Sequence, residues 1–207
     1  MYSKIFPSEI QAKKDEEGQR NKVVKRWTVW KKSSMSFVGS DGFSVYDGEG
    51  KLSFRVDNYS RRNKFRLGEL VLMDAIGRPL LYLRPQIMSM YAQWKGYRGS
   101  DEDNSKTSSK YHLFTMRKRS IAPNSDVLVE VFMSDNGAMS ADFTIEGNFR
   151  KRCCKIRARE GQVLAVISPK MVSPTLVLGN DVFSLFIEEQ VGPELVMALI
   201  VIMDRIC

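Results

Sequence analysis

The chain has 207 residues, 43% hydrophobic and 27% charged, which argues against a disordered polymer and allows one sizeable core. A formal charge of +8 favours an acidic partner: anionic lipid, nucleic acid or an acidic protein. Three cysteines, two of them adjacent, make no disulfide framework, and no apolar run nears the about 20 residues that a membrane-spanning helix needs.

Residues 1–22 are polar and charged, with Lys13-Lys14-Asp15-Glu16-Glu17-Gly18 showing no strand alternation, and are expected to form a flexible leader. The N-terminus lacks the apolar core of a signal peptide. The expected location is therefore the cytoplasm, peripheral at the plasma membrane if lipid is the partner, or the nucleus. From Arg26 the pattern changes. Arg26 to Lys31 carries aromatic and β-branched residues suited to a strand, and Ser34 to Val38 reads as a second. Gly42 to Asp47 and Lys51 to Asp57 flank Gly48-Glu49-Gly50 and read as a hairpin. In the second run Leu52, Phe54 and Val56 fall on one face and Lys51, Ser53, Arg55 and Asp57 on the other, the mark of one-sided burial.

The same grammar continues. Glu69 to Asp74 and Pro79 to Leu83 bracket a turn at Ala75-Ile76-Gly77-Arg78, and Gln86 to Tyr97 follows. Gly99 to Lys110 holds no apolar residue and is expected to be a mobile loop. Tyr111 to Met116, Val127 to Met133, Ala141 to Glu146, Cys153 to Arg157, Val163 to Ile167 and Val182 to Ile187 supply further strands. Pro193 and Glu194 then suit a first helical turn, since the missing N–H and the negative charge are both tolerated there. The run Leu195 to Met203 is apolar without a break, so a helix over 193–206 must be buried on every side.

That helix selects the architecture. Many short strands suggest a sandwich or a barrel, and closing about a dozen of them leaves an interior wider than strand side chains can fill. The fold class predicted is mainly β: a closed antiparallel β-barrel of about twelve strands around a buried hydrophobic C-terminal α-helix. Residues 23–207 are expected to form this one domain.

Residues able to carry chemistry are few. A single histidine, His112, leaves no multi-histidine metal site and reads as a strand residue. Cys153 and Cys154, adjacent in a strand, point to opposite faces and do not share a metal. Asp101-Glu102-Asp103 reads as a solvated loop cluster, and neither a P-loop nor a dinucleotide fingerprint occurs. No catalytic residue, metal or cofactor is assigned. Three basic clusters remain: Arg61-Arg62-Asn63-Lys64-Phe65-Arg66, Arg117-Lys118-Arg119, and Arg150 to Arg159. If residues 150–159 form one strand, Arg150, Arg152 and Cys154 share a face, opposite Lys151, Cys153, Lys155, Arg157 and Arg159. Arg61, Arg62, Lys64, Lys151, Lys155 and Arg157 are the candidate anion-binding residues, suited to inositol phosphates through charge-assisted bonds. Phe37, Phe65 and Trp94 are either membrane-dipping aromatics or core.

A barrel of this kind resembles the tubby C-terminal domain and, by similarity, the phospholipid scramblases. The residues themselves resemble the plant LURP-one-related family more closely. The likeness is carried by Trp27-Thr28-Val29-Trp30-Lys31-Lys32-Ser33, Gly42-Phe43-Ser44-Val45-Tyr46-Asp47, Trp94-Lys95-Gly96-Tyr97-Arg98-Gly99 and Leu178-Gly179-Asn180-Asp181-Val182-Phe183, with Met197-Ala198-Leu199-Ile200-Val201 closing it. It runs from about Trp27 to the end, and departs at Gly192-Pro193, where an aspartate is expected. What the resemblance implies is a non-enzymatic module, expected as a monomer, tethered through phosphoinositide or other anionic lipid, or bound to a protein, with a part in plant defence. The alternatives are a DNA-associated or membrane-released transcription regulator, and a scramblase-like lipid-acting protein.

Overall fold

Aspartate carboxylates set the first turns. Asp47 Oδ1 accepts the amide protons of Glu49 (3.0 Å) and Lys51 (2.9 Å), while the Asp47 carbonyl accepts that of Gly50 (3.1 Å). Asp74 repeats the device toward Ile76 (3.1 Å), Arg78 (2.8 Å) and Gly77 (3.1 Å). In both turns the glycine takes the left-handed conformation (φ 82° and 92°), which a side chain would oppose. The Arg78 guanidinium also holds the Asp74 carboxyl below its ordinary pKa.

The computed structural model describes residues 23–32, 42–57, 68–86, 92–99, 110–119, 129–134, 140–173 and 175–207. Twelve antiparallel strands close into a barrel. In chain order they are β1 (Val24–Lys32), β2 (Gly42–Tyr46), β3 (Leu52–Asp57), β4 (Leu70–Asp74), β5 (Pro79–Pro85), β6 (Gln93–Gly99), β7 (Lys110–Lys118), β8 (Val129–Met133), β9 (Phe143–Asn148), β10 (Cys153–Ala158) and β11 (Val163–Pro169). A two-stranded ribbon, β12 (Met171–Ser173) and β13 (Leu176–Val177), precedes the last barrel strand, β14 (Val182–Glu188). Successive barrel strands pair with each other, β14 pairs with β11 across the ribbon, and β1 pairs with both β2 and β14 to complete the closure.

Strand geometry, which turns successive side chains to opposite faces, decides what lies inside. Phe54 and Val56 in β3, Cys154 and Ile156 in β10, and Phe183, Leu185 and Ile187 in β14 are buried. Helix α1 (Pro193–Ile206) fills the space they enclose, with every residue from Val196 to Met203 buried. An all-apolar helix has no face to give to water, so a closed tube is its stable setting. Charges such as Glu130, Glu146, Lys155 and Arg157 stand on strand positions that alternate with the buried ones. Apolar inside and charged outside is the reverse of a barrel that spans a bilayer.

The predicted elements recur with three corrections. Residues 150–159 are not one strand: residues 149–152 form a turn, and β10 covers only Cys153–Ala158. The strand predicted from Gln86 begins at Gln93, because the Gln86 amide bonds to the Gln93 carbonyl (2.9 Å) where the β5–β6 connection closes. The β12–β13 ribbon was not predicted. Trp94 is core, 8% exposed, rather than a membrane-dipping aromatic. The strand expected over Ser34 to Val38, the Asp101-Glu102-Asp103 cluster, Phe37 and Phe65 lie outside the described residues.

Candidate functional site: the cationic rim at the end of the helix

Strand directions sort the charges onto two rims. The last residues of β1, β3, β5, β7, β9 and β11 surround the C-terminus of α1; the opposite rim surrounds its N-terminus. Among the described residues the C-terminal rim carries Lys31, Lys118, Arg119, Arg150, Lys151, Arg152 and Arg205, with Glu69, Asp181 and Asp204 as acids beside them. The opposite rim is mixed among the described residues, with Asp47, Glu49, Glu160, Glu189 and Glu194 standing beside Lys25, Lys51, Arg78 and Arg159.

The helix end accounts for part of this collar. The last carbonyls of a helix lack intrahelical donors and carry partial negative charge. Lys118 Nζ donates to the Ile206 carbonyl (3.0 Å), and Arg150 Nε to that of Cys207 (2.7 Å). Asp204, on the last turn, is met by Lys31 Nζ at 3.0 Å and by Arg152 Nη2 at 3.8 Å. Arg152 is itself 5% exposed, in a left-handed conformation (φ 54°), with its guanidinium carbon 4.4 Å from the Phe149 ring centroid and 4.3 Å from that of Phe183. Its Nε donates to the Asn180 carbonyl (2.8 Å). Burial pulls its pKa below the usual arginine value, opposed by Asp204 and Asp181, and at such a starting value the group stays charged. Burial likewise raises the Cys207 thiol, more than Lys118 and Arg150 lower it.

The sequence candidates separate on this frame. Lys151 stands exposed on the rim turn, its amide bonded to Asn148 Oδ1 (3.0 Å) and its side chain in no ion pair among the described residues. Lys155 lies lower, on the outer wall, opposite Glu146 in β9 and Val166 in β11. Arg157 lies lower still, and its Nε already meets Glu146 at 3.0 Å while Nη1 donates to the Gly161 carbonyl (3.0 Å). The three therefore form a descending line rather than one pocket. Arg61, Arg62 and Lys64 lie outside the described residues; the strands they join, β3 and β4, end and begin at the same rim. In the second basic cluster, Arg117 and Arg119 share Glu130, at 2.9 and 3.6 Å.

Sequence reasoning missed Arg152, Lys118 and Asp204 as a set, since 34 to 86 residues separate them and only closure of the barrel unites them. The local signals were the basic triplet after Phe149 and the cluster Arg117-Lys118-Arg119. Elsewhere, His112 is half-buried, with Ser134 Oγ 2.6 Å from Nδ1 and the Phe114 carbonyl 2.9 Å from Nε2. A ring carrying its proton on Nε2 donates to the Phe114 carbonyl within β7, and the Ser134 contact ties β7 to the residue following β8. Cys153 is exposed and Cys154 buried, on opposite faces of β10. Among the described residues no group of three His, Cys, Asp or Glu side chains is placed to hold a metal ion. Nor is any described helix long and apolar enough to cross a membrane.

A profile of the LURP-one-related family matches residues 25–204. The chain belongs to the LURP-one-related family. Protein LURP-one-related 5 of Arabidopsis thaliana is 38% identical over 178 residues, covering 85% of this chain and 80% of the relative. Protein LURP-one-related 8 of the same plant is 35% identical over 182 residues, covering 86% and 85%. A crystal structure of an Arabidopsis thaliana protein superposes with a TM-score of 0.61 at 20% identity, over 88% of this chain and 90% of that one, and shares the fold. The names of the LURP-one-related family and of these relatives carry no enzymatic activity.

Proposed function

We propose that this LURP-one-related protein is a non-enzymatic, tubby-like binding module that docks, as a monomer, on the anionic surface of a plant-cell membrane. Residues 23–207 act as one domain, with phosphoinositide head groups as the ligand and defence as the setting in which the tether operates. The observation that carries this reading is the concentration of cations on the rim at the end of α1. Part of that positive charge is absorbed by helix carbonyls and Asp204, while Lys151 and Arg205 remain exposed and without an ion pair among the described residues. Such unspent charge near an anionic bilayer contributes about 1 kcal/mol per residue. Lys155 and Arg157 extend the contact if the molecule tilts onto its wall. Burial of α1 weighs against a scramblase-like reading in which that helix enters lipid.

Flotation on phosphatidylcholine vesicles with and without phosphoinositide tests the proposal. Binding is expected only with phosphoinositide, weakened roughly tenfold or more by Lys151→Gln with Arg205→Gln, as two surface charges imply. A larger loss from Lys155→Gln with Arg157→Gln would move the contact to the wall. Salt-dependent binding to duplex DNA with no lipid preference would overturn the proposal in favour of a nucleic-acid partner.

A further inference from the structure

The ribbon β12–β13 continues β11 past the cationic rim and returns into β14. Among the described residues its strands pair only with each other, in a sheet separate from the barrel. Met171 and Val172 are neighbours in β12 and so point to opposite faces, yet both are exposed, at 38% and 62%. Leu176 and Val177 in β13 are 54% and 53% exposed. A strand pair with one dry face would bury half of these side chains; this ribbon buries neither set. Isolated two-stranded ribbons are marginal in water, and this one is pinned at its base by the Leu178 amide on the Lys170 carbonyl (2.8 Å).

What surrounds the ribbon separates a bilayer from other occupants. At its root, Lys170 Nζ donates to Thr28 Oγ1 (3.0 Å) on the outer wall, and burial together with the Arg26 cation lowers its pKa. Trp30, 47% exposed, lies across from Val182, the first residue after the ribbon returns to the barrel. The molecule thus presents aliphatic side chains beyond the rim, then an indole and cations behind them. That gradient matches the one from acyl chains through the interfacial zone to anionic head groups. An apolar protein groove would match the tip but leave the collar of charge without a counterpart.

We infer that the β12–β13 ribbon is a membrane-inserting element: Met171, Val172, Leu176 and Val177 enter the acyl boundary of an anionic bilayer while the surrounding rim holds the head groups. This rests on the reading of the rim given above and adds a second, apolar contribution to it. The test compares wild type with the double variant Val172→Asp, Leu176→Asp on vesicles of phosphatidylcholine and phosphoinositide, and on soluble inositol hexakisphosphate. A tenfold or greater loss on vesicles, with hexakisphosphate affinity and thermal midpoint unchanged, supports the inference. The variant Val172→Trp, Leu176→Trp should bind the same vesicles severalfold more tightly, an outcome that misfolding does not produce. Equal vesicle binding by wild type and the aspartate variant overturns the inference and leaves the rim reading standing. Absence of wild-type binding to both probes overturns both. Self-association of wild type in light scattering, abolished by the aspartates and insensitive to vesicles, overturns it in favour of a second copy as the occupant.

Discussion

Gly96 shows how closely the wall is packed at the scale of one residue. It points inward from β6 beneath Phe114 of β7, and a Cβ built on it would stand 2.1 Å from Phe114 Cε1. The aromatic ring occupies the volume that a side chain would take, so glycine is required by a neighbour rather than by backbone conformation. Gly96→Ala is predicted to destabilise the protein by about 1–3 kcal/mol, the usual cost of overpacking a core. Phe114→Leu in the Gly96→Ala background should return part of the loss, with midpoints of urea unfolding as the measure. An unchanged midpoint in the single variant would show that the ring does not rest on Gly96. The sequence reading placed Gly96 inside a strand as part of the Trp94-Lys95-Gly96-Tyr97-Arg98-Gly99 likeness, and nothing there revealed the ring above it. Arg152 is a sharper case: its charge reads as surface, whereas two phenylalanines and Asp204 hold it inside. Local composition records charge, and only the closed fold records where the charge is set.

Among the elements, α1 was the most legible. Pro193 and Glu194 mark its start, and the unbroken apolar run demands burial, so its beginning and its setting follow from local chemistry. Strands with clean alternation, such as β3, were legible for the same reason. The ribbon was not, because Met171-Val172-Ser173 and Leu176-Val177 are too short to show a period and apolar on both faces where a strand signal expects alternation. The rim anchoring α1 is likewise a product of closure, with Lys31 and Asp204 far apart in sequence. Asp204→Asn strands the positive charge of Arg152 in a buried place. A loss of roughly 3 kcal/mol is predicted, at the low end of the range for breaking a buried pair because Lys31 still reaches water. Thermal unfolding checks it, and a wild-type midpoint would mean that the Asp204 contacts contribute nothing net.

Over the whole molecule, architecture and charge are coupled. Each strand direction assigns its loops to one rim, and the rim at the negative end of the helix gathers cations, more of them than the helix end requires. The barrel was legible as a class from strand count and the greasy helix. Whether the three basic clusters meet was not, since that depends on strand order and register. The structure brings Lys118 and Arg150 to one rim, each on a carbonyl at the end of α1, and sets Arg157 lower on the wall with Glu146. Membrane docking by such a molecule leaves its core untouched, because the helix that looks most like a lipid anchor is already the filling of the tube. Amide hydrogen exchange across α1, with and without anionic vesicles, tests this most directly. The account predicts that Val196 to Met203 exchange only through global unfolding and keep that protection on the vesicles, while amides of β12–β13 become protected. Loss of protection along α1 upon vesicle binding would contradict it.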